Sequence, residues 1–439
     1  MVAENIHRDD VRDKPNTATW HHARMTDTTN GITLRSPKAD ELRDWVRPLL
    51  IAFAEESSEA ELEAEVPMLE PERLINAFDG ERRIASAGAF SLRLTVPGGD
   101  VGAGGITAVG VLPEYRRRGV LRQMMTWLLD DAKAHGEPVA VLWASEAAIY
   151  QRFGFGTGTL QSGFEVDRSR FVFRSPLPPS DRVRIRMIDA DEGVRLAPPI
   201  YDTVRRHVPG SLGRSEIKWR NFQMSDAEWM RRGNGPKYRA VLEVDGEPRG
   251  YVVYQIKSDW DARGPRNTLL VLDLVALDPE TEQRLWQWVG GMDLVATLRL
   301  MRGPVPNPLQ LWLQEPRRLG LTVADGMWLR FVDVAAALAA RTYAREGSVV
   351  LELEDALIDS NAGRWQLTVR ADGAATMERT TAEPDLALDV ASLACTYLGA
   401  FRFRDLAAAG RVRELQLGAL HTADVLFTTS RAPFSNTMF

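Results

Sequence analysis

The sequence predicts an α/β fold of mixed α+β sheets, with two similar units in tandem and a separate α+β domain after them. Two observations carry most of that expectation. An apolar strand, a short loop, an amphipathic helix and a second apolar strand follow one another over residues 105–143, and the same order returns over 269–313. A third observation is the C-terminal part, where a few strands precede helices.

Length and composition set the frame. A chain of 439 residues has room for several cores, and 44% apolar with 26% charged residues is ordinary globular composition. The net charge of −6 argues against general nucleic-acid binding and permits attraction of cationic substrates. Cys395 is the single cysteine, which excludes an intramolecular disulfide and argues against a structural cysteine zinc site. No apolar run approaches the roughly 20 residues of a membrane span, and the N-terminus lacks a signal-peptide core. A soluble, cytoplasmic protein is expected.

Residues 1–30 mix both charges without periodicity and are expected to be a disordered tail. His21 and His22 stand there without a carboxylate or cysteine pattern, so no metal site is expected. Strand Ile32–Arg35 leads into a helical stretch over 39–55 with an apolar stripe through Leu42, Trp45, Leu49 and Phe53, kinked or split at Pro48. The acidic residues from Glu55 to Glu65 read as a solvated face or loop. Strands within 84–96 turn back at Pro97-Gly-Gly-Asp100. Strand 105–112, helix 119–135 and strand Val139–Trp143 then make a right-handed βαβ unit, whose ligands belong at the carboxyl ends of the strands. A short helix begins near Ser145, residues 161–173 are expected to complete the first unit, and Ser175-Pro-Leu-Pro-Pro-Ser180 reads as a linker.

The second unit opens at Val183–Met187. A helix over 198–207 is expected with its prolines in the first turn, then a hairpin over 238–257, the apolar run 269–277, a helix over 283–289 and a strand over 309–313. The third part starts near 327–331 with a helix over 332–344, followed by strands at 348–353 and 363–369 and helices over 389–398 and 422–427. The expected boundaries are 1–30 for the tail, 31–175 and 176–325 for the two units, and 326–439 for the last domain.

The chemistry concentrates at one junction. Arg116, Arg117, Arg118, Gly119, Val120 and Leu121 lie where the strand 105–112 ends and the helix begins. Unpaired N–H groups and the positive end of the helix dipole attract an anion there, and glycine permits close approach. A solvated basic helix start is the plain alternative. At the matching junction of the second unit stand Asp278, Glu280 and Glu282, which would repel a pyrophosphate.

The junction resembles the acetyl-CoA signature of the GNAT superfamily of N-acetyltransferases, with Leu121 where the pattern has a small residue. Together with residues 144–156, the segment Trp328-Leu-Arg-Phe-Val-Asp-Val and the terminal Phe439, it makes the chain similar to the Eis (enhanced intracellular survival) family over about 31–439. The resemblance implies an active GNAT domain, a degenerate one and a sterol-carrier-protein-like domain, assembled as a homo-hexamer. It implies acetyl-CoA as co-substrate, no metal, and acetylation of primary amines on aminoglycosides, polyamines or lysines. By the same resemblance, Val109 and Val111 pair with the pantetheine, 116–121 hold the pyrophosphate, and Ser145 and Glu146 lie near the cofactor arm. Tyr150 is the implied general acid, the Phe439 carboxylate the general base, and Glu55 a substrate contact. A CoA-sensing or lipid-binding protein without turnover is the alternative.

Direct transfer needs a neutral amine about 3 to 3.5 Å from the thioester carbon, a donor to the developing oxyanion, and a proton for the departing thiolate. Gly110 is expected to allow an irregularity in the strand that supplies the donor. A tyrosine near pKa 10 can protonate a thiolate near 8.5 with a modest uphill step. A terminal carboxylate near 3.5 is a weak base for an ammonium, so its surer role is to attract the cation.

Overall fold

The computed structural model describes residues 26–29 and 31–439; the His21/His22 pair and most of the expected tail lie outside the described residues. Within that expected tail, Thr26–Thr29 forms β1. It opens a sheet continued by β2 (Ile32–Arg35), β3 (Leu74–Asp79), β4 (Arg82–Val96), β5 (Gly99–Val111) and β6 (Val139–Trp143), antiparallel throughout except for the parallel pair β5 and β6. The helix Val120–Ala134 crosses between that pair and buries Val120, Met124, Met125, Leu128, Leu129 and Ala132, the spacing read from the sequence. Pro48 divides the first helical stretch as expected: Leu42–Trp45 ends before Arg47–Phe53, with the proline in the first turn of the latter. The acidic run forms a helix, Glu59–Glu65, capped by the Ser58 side chain.

After β7 (Gly156–Thr157) the chain departs from the expected order. β8 (Leu160–Asp167) leaves the first sheet and enters a second one, with β9 (Val183–Met187), β10 (Lys237–Val244), β11 (Glu247–Lys257), β14 (Asn267–Ala276), β15 (Val295–Gly303) and β16 (Thr322–Asp325); β12 and β13 (Trp260–Asp261, Gly264–Pro265) form a separate ribbon. The position between β6 and β7 is filled by β17 (Met327–Phe331), a segment expected at the start of the last domain. The side chains explain the exchange. β17 is buried on both faces, as a central strand covered on both sides must be, whereas β8 alternates buried Phe164 and Val166 with exposed Glu165 and Asp167.

Other departures have local causes. The first long helix of the second unit is Ala190–Arg205, started by the Asp189 side chain accepting from Glu192 N at 2.8 Å, so Pro198 and Pro199 sit inside it rather than in its first turn. The parallel partner of β14 is β15, and Leu309–Trp312 is a short helix rather than the expected strand. The helix between them is Pro279–Gly290, with Asp278 as its cap. In the last domain β18 (Gly347–Glu354), β19 (Gly363–Val369), β20 (Ala375–Arg379), β21 (Leu386–Asp389) and β22 (Val412–Glu414) form a third sheet with helices Val390–Tyr397, Phe403–Ala408 and Ala419–Phe427. The helix after β17 is short, Val334–Ala339.

The cores show how the domains share layers. Val139 and Val141 of β6 point into one core with Leu329, Phe331, Leu351 and Leu393, so the last domain covers one face of the first sheet. Ala140 and Leu142 point the other way, onto Met124 and Leu128. At the base of β5 and β6, fully buried Arg73 binds Glu137 at 2.6 Å and Asp131 at 2.8 Å. Arg73→Met leaves Glu137 as a buried uncompensated charge, and a loss of about 3–5 kcal/mol is expected in urea unfolding.

Candidate active site

The site grows from the place where β5 and β6 separate. Their parallel pairing runs from Ala103↔Val139 to Gly105↔Val141 and stops, although β5 continues to Val111 and β6 to Trp143. The β6-facing edge of β5 beyond Gly105 therefore has no strand partner and offers its backbone groups to a ligand. Opposite β4, the register slips between Ser86↔Gly110 and Gly88↔Thr107, and Ala108 has φ +53°. This bulge twists the edge where Val109 lies. The expected irregularity is thus at Ala108, and Gly110 serves a different purpose, since a Cβ there would lie 2.6 Å from the Leu49 Cα. Gly110 lets the helix Arg47–Phe53 press onto β5. Gly110→Ala is expected to cost about 1–3 kcal/mol by overpacking, read as a lower denaturant midpoint.

The arginine junction closes one end of the opening. Gly119, at φ +83°, caps the helix Val120–Ala134, and a Cβ on it would meet nothing within 4 Å. Arg116, Arg117 and Gly119 are exposed, and Arg117 also has φ +61°. None of the three arginines has a carboxylate partner among the described residues; Arg118 stacks over Tyr115, 5.0 Å from its ring centre. Val120 is buried and Leu121 partly so, which fixes the helix start while leaving its N–H groups open. Free cations, an open glycine and a helix N-terminus are what a pyrophosphate needs, and the unpaired β5 edge suits an amide-bearing arm, so these residues fit acetyl-CoA.

At the far end of β6 the chain turns through exposed Ser145 and Glu146, the latter at the cap position of the helix Ala147–Gln151. Tyr150 of that helix is 6% exposed, its ring edge-on to Phe155 with centroids 6.0 Å apart. Burial pushes its hydroxyl above the ordinary tyrosine range, against a hydrogen bond with the Ser145 side chain that pulls it down.

The C-terminus reaches the point where β5 and β6 part. The Phe439 ring packs against Gly105, so that a Cβ on Gly105 would lie 3.2 Å from its Cδ2. Its arm is held residue by residue: Trp143 Nε1 donates to Thr437 O at 3.2 Å, Tyr201 and Arg214 each meet Thr437 Oγ1 at 2.9 Å, and Asn436 Nδ2 donates to Asp273 Oδ1 at 2.9 Å. Arg214 and Tyr251 in turn bind Asp273 at 2.6 and 2.9 Å. The second unit thus holds the arm that enters the first. None of these anchors was singled out from the sequence; the polar run Ser435-Asn-Thr437 before a terminal aromatic residue was the available signal.

Glu55 is exposed just beyond the helix Arg47–Phe53, where Arg116 Nη2 donates to Ala52 O at 3.4 Å. It therefore lies on the arginine side, while Phe439 lies where the strands part. In the second unit, Asp278 is turned inward, accepting from Thr281 N at 2.8 Å and pairing with Arg249 at 3.0 Å. Among the described residues no cluster of His, Cys, Asp or Glu could hold a metal ion, and no helix is long and apolar enough to cross a membrane.

Known proteins agree with this architecture. Residues 33–158 match an acetyltransferase (GNAT) domain model, 210–331 a second acetyltransferase (GNAT) model, and 334–436 a sterol carrier protein domain model. An uncharacterized N-acetyltransferase of Streptomyces avermitilis is 42% identical over 91% of this chain and 98% of its own. The N-acetyltransferase Eis of Mycobacterium tuberculosis is 33% identical over 80% of this chain and 85% of its own. Among solved structures, Eis1 from Mycobacterium abscessus superposes with a TM-score of 0.78 at 33% identity, covering 92% of this chain and all (100%) of that one. A GCN5-related N-acetyltransferase from Anabaena variabilis, at 20% identity and a TM-score of 0.79, shares the fold.

Proposed function

Because the chain belongs to the Eis family of N-acetyltransferases, we propose that it carries acetyl from acetyl-CoA straight to a primary amine of a cationic acceptor, with both substrates bound together. The acceptor class is aminoglycoside-like, polyamine or lysine-bearing. The observation that carries this reading is the opening between β5 and β6, with uncompensated arginines on one side and the C-terminal arm on the other. No protein nucleophile is needed: the C–N bond forms as the C–S bond breaks, the amine loses a proton, and the sulfur gains one.

Arg116, Arg117 and Arg118 with Gly119 would hold the pyrophosphate, and the backbone at Val109 and Val111 the arm. N–H groups beside the Ala108 bulge would face the developing oxyanion. Tyr150 would donate to sulfur, with Ser145 and Glu146 setting its surroundings. The Phe439 carboxylate would draw the ammonium in and orient it, and Glu55 would add attraction farther out. Thiol release assayed with tobramycin, spermine and a lysine peptide at saturating acetyl-CoA tests the reading. Acetylation of at least one acceptor is expected; silence with all three would overturn the acceptor class. A sequential kinetic pattern supports transfer in a ternary complex, and ping-pong kinetics would remove it.

A further inference from the structure

The second unit repeats the opening of the first with different chemistry. Pairing of β14 with β15 ends at Val271↔Leu300, although the strands continue to Ala276 and Gly303. A cavity of about 580 Å³ fills the space between them, within the 300–1,000 Å³ range of small-ligand sites. Leu272, Leu274, Ala276, Trp286 and Leu300 make much of its wall.

Its charged groups are not alike. Asp273 is neutralised by Arg214, Asp278 by Arg249, and Arg205 by Asp100 and Asp202. Glu282 and Arg431 also line the cavity with no salt bridge among the described residues; burial pushes the Glu282 carboxyl above its ordinary range, against the pull of Arg431. Arg302 lines the cavity with no carboxylate partner among the described residues, and burial depresses its pKa from the ordinary arginine value. Beside the apolar wall, the partly buried Arg302 guanidinium suits a ligand with a single negative charge and an apolar body.

The C-terminal arm forms part of the same wall through Phe434 and Asn436, and the Arg302 guanidinium lies 6.0 Å from the ring centre of Trp143, which holds Thr437. We propose that this cavity is a second binding site, for a small apolar monocarboxylate that pairs with Arg302, and that its occupancy steadies the C-terminal arm. The site is independent of which amine the first opening accepts.

Octanoate is the probe, with octanol as the uncharged comparison, both titrated into full-length protein saturated with CoA so that the first opening is blocked. Octanoate at about a hundred times its Kd is expected to raise Tm by about 2 °C or more, and to slow release of Phe439 by carboxypeptidase at least fivefold, whereas octanol does neither. Arg302→Met should abolish both effects. Ala276→Phe, which fills the cavity and leaves Arg302 in place, should abolish them too and keeps the test open if Arg302→Met fails to fold. Absence of octanoate binding at millimolar concentration, equal binding of octanol, or full binding by either folded variant would overturn the site. Octanoate binding with unchanged Phe439 release would overturn the link to the arm.

Discussion

Replacing Tyr150 with phenylalanine is expected to lower kcat by about a hundred- to ten-thousandfold, the usual contribution of a positioned general acid. The Kd for acetyl-CoA should change little, because the ring keeps its edge-on contact with Phe155 and the arginine junction is untouched. Single-turnover kinetics with a good acceptor, beside a direct binding measurement, separate the two quantities. The pH profile gives a second reading. An acid must be protonated to act, and burial raises the Tyr150 pKa above its ordinary value near 10. The hydroxyl therefore keeps its proton across pH 7–9, and no alkaline fall in kcat from this group is expected there. A fall centred near pH 8, present in the native protein and absent from Tyr150→Phe, would keep Tyr150 as the donor and contradict its raised pKa; equal kcat in the two proteins would remove Tyr150 from the mechanism.

Removing Phe439 is expected to be nearly as costly, about a hundredfold in kcat/KM for a dicationic acceptor. Two effects add. The terminal carboxylate moves back to Met438, and the ring that packs against Gly105 is lost. Misplacement of an orienting group by about 1 Å can cost a hundredfold. A C-terminal tag retains the ring and converts the carboxylate to an amide, so it isolates the charge. If tagged and untagged proteins have equal kcat/KM, the carboxylate has no part in the reaction. Asn436→Ala offers a milder version, loosening the arm from Asp273 and Leu272 without touching its end.

The legible parts of the sequence were those where one pattern served one purpose. The apolar spacing from Val120 to Ala132 gave a helix with its buried face correct, and the apolar run Val139–Trp143 gave a strand covered on both sides. The place of the arginines and Gly119 at the start of that helix was legible because the same apolar spacing fixes where the helix begins. β15 was missed because Arg299 and Arg302 interrupt its apolar residues, while the apolar run at 309–313 imitated a strand and became a helix. The bulge at Ala108 could not be read, since a left-handed alanine leaves no mark in composition. The anchoring of Thr437 by Trp143, Tyr201 and Arg214 depends on groups far apart in sequence, which no local pattern reports.

The exchange of β8 and β17 bears on how the protein is made. As the chain emerges from the ribosome, β6 is available early, but the strand that belongs beside it ends at Phe331, after the whole second unit. Until then β6 has an open edge and an apolar face without its cover, a state that invites pairing with another chain. The second sheet meanwhile takes β8 from material already synthesised. The second sheet can thus close before the first, and the sheet that carries the arginine junction is completed only when the second unit has been built.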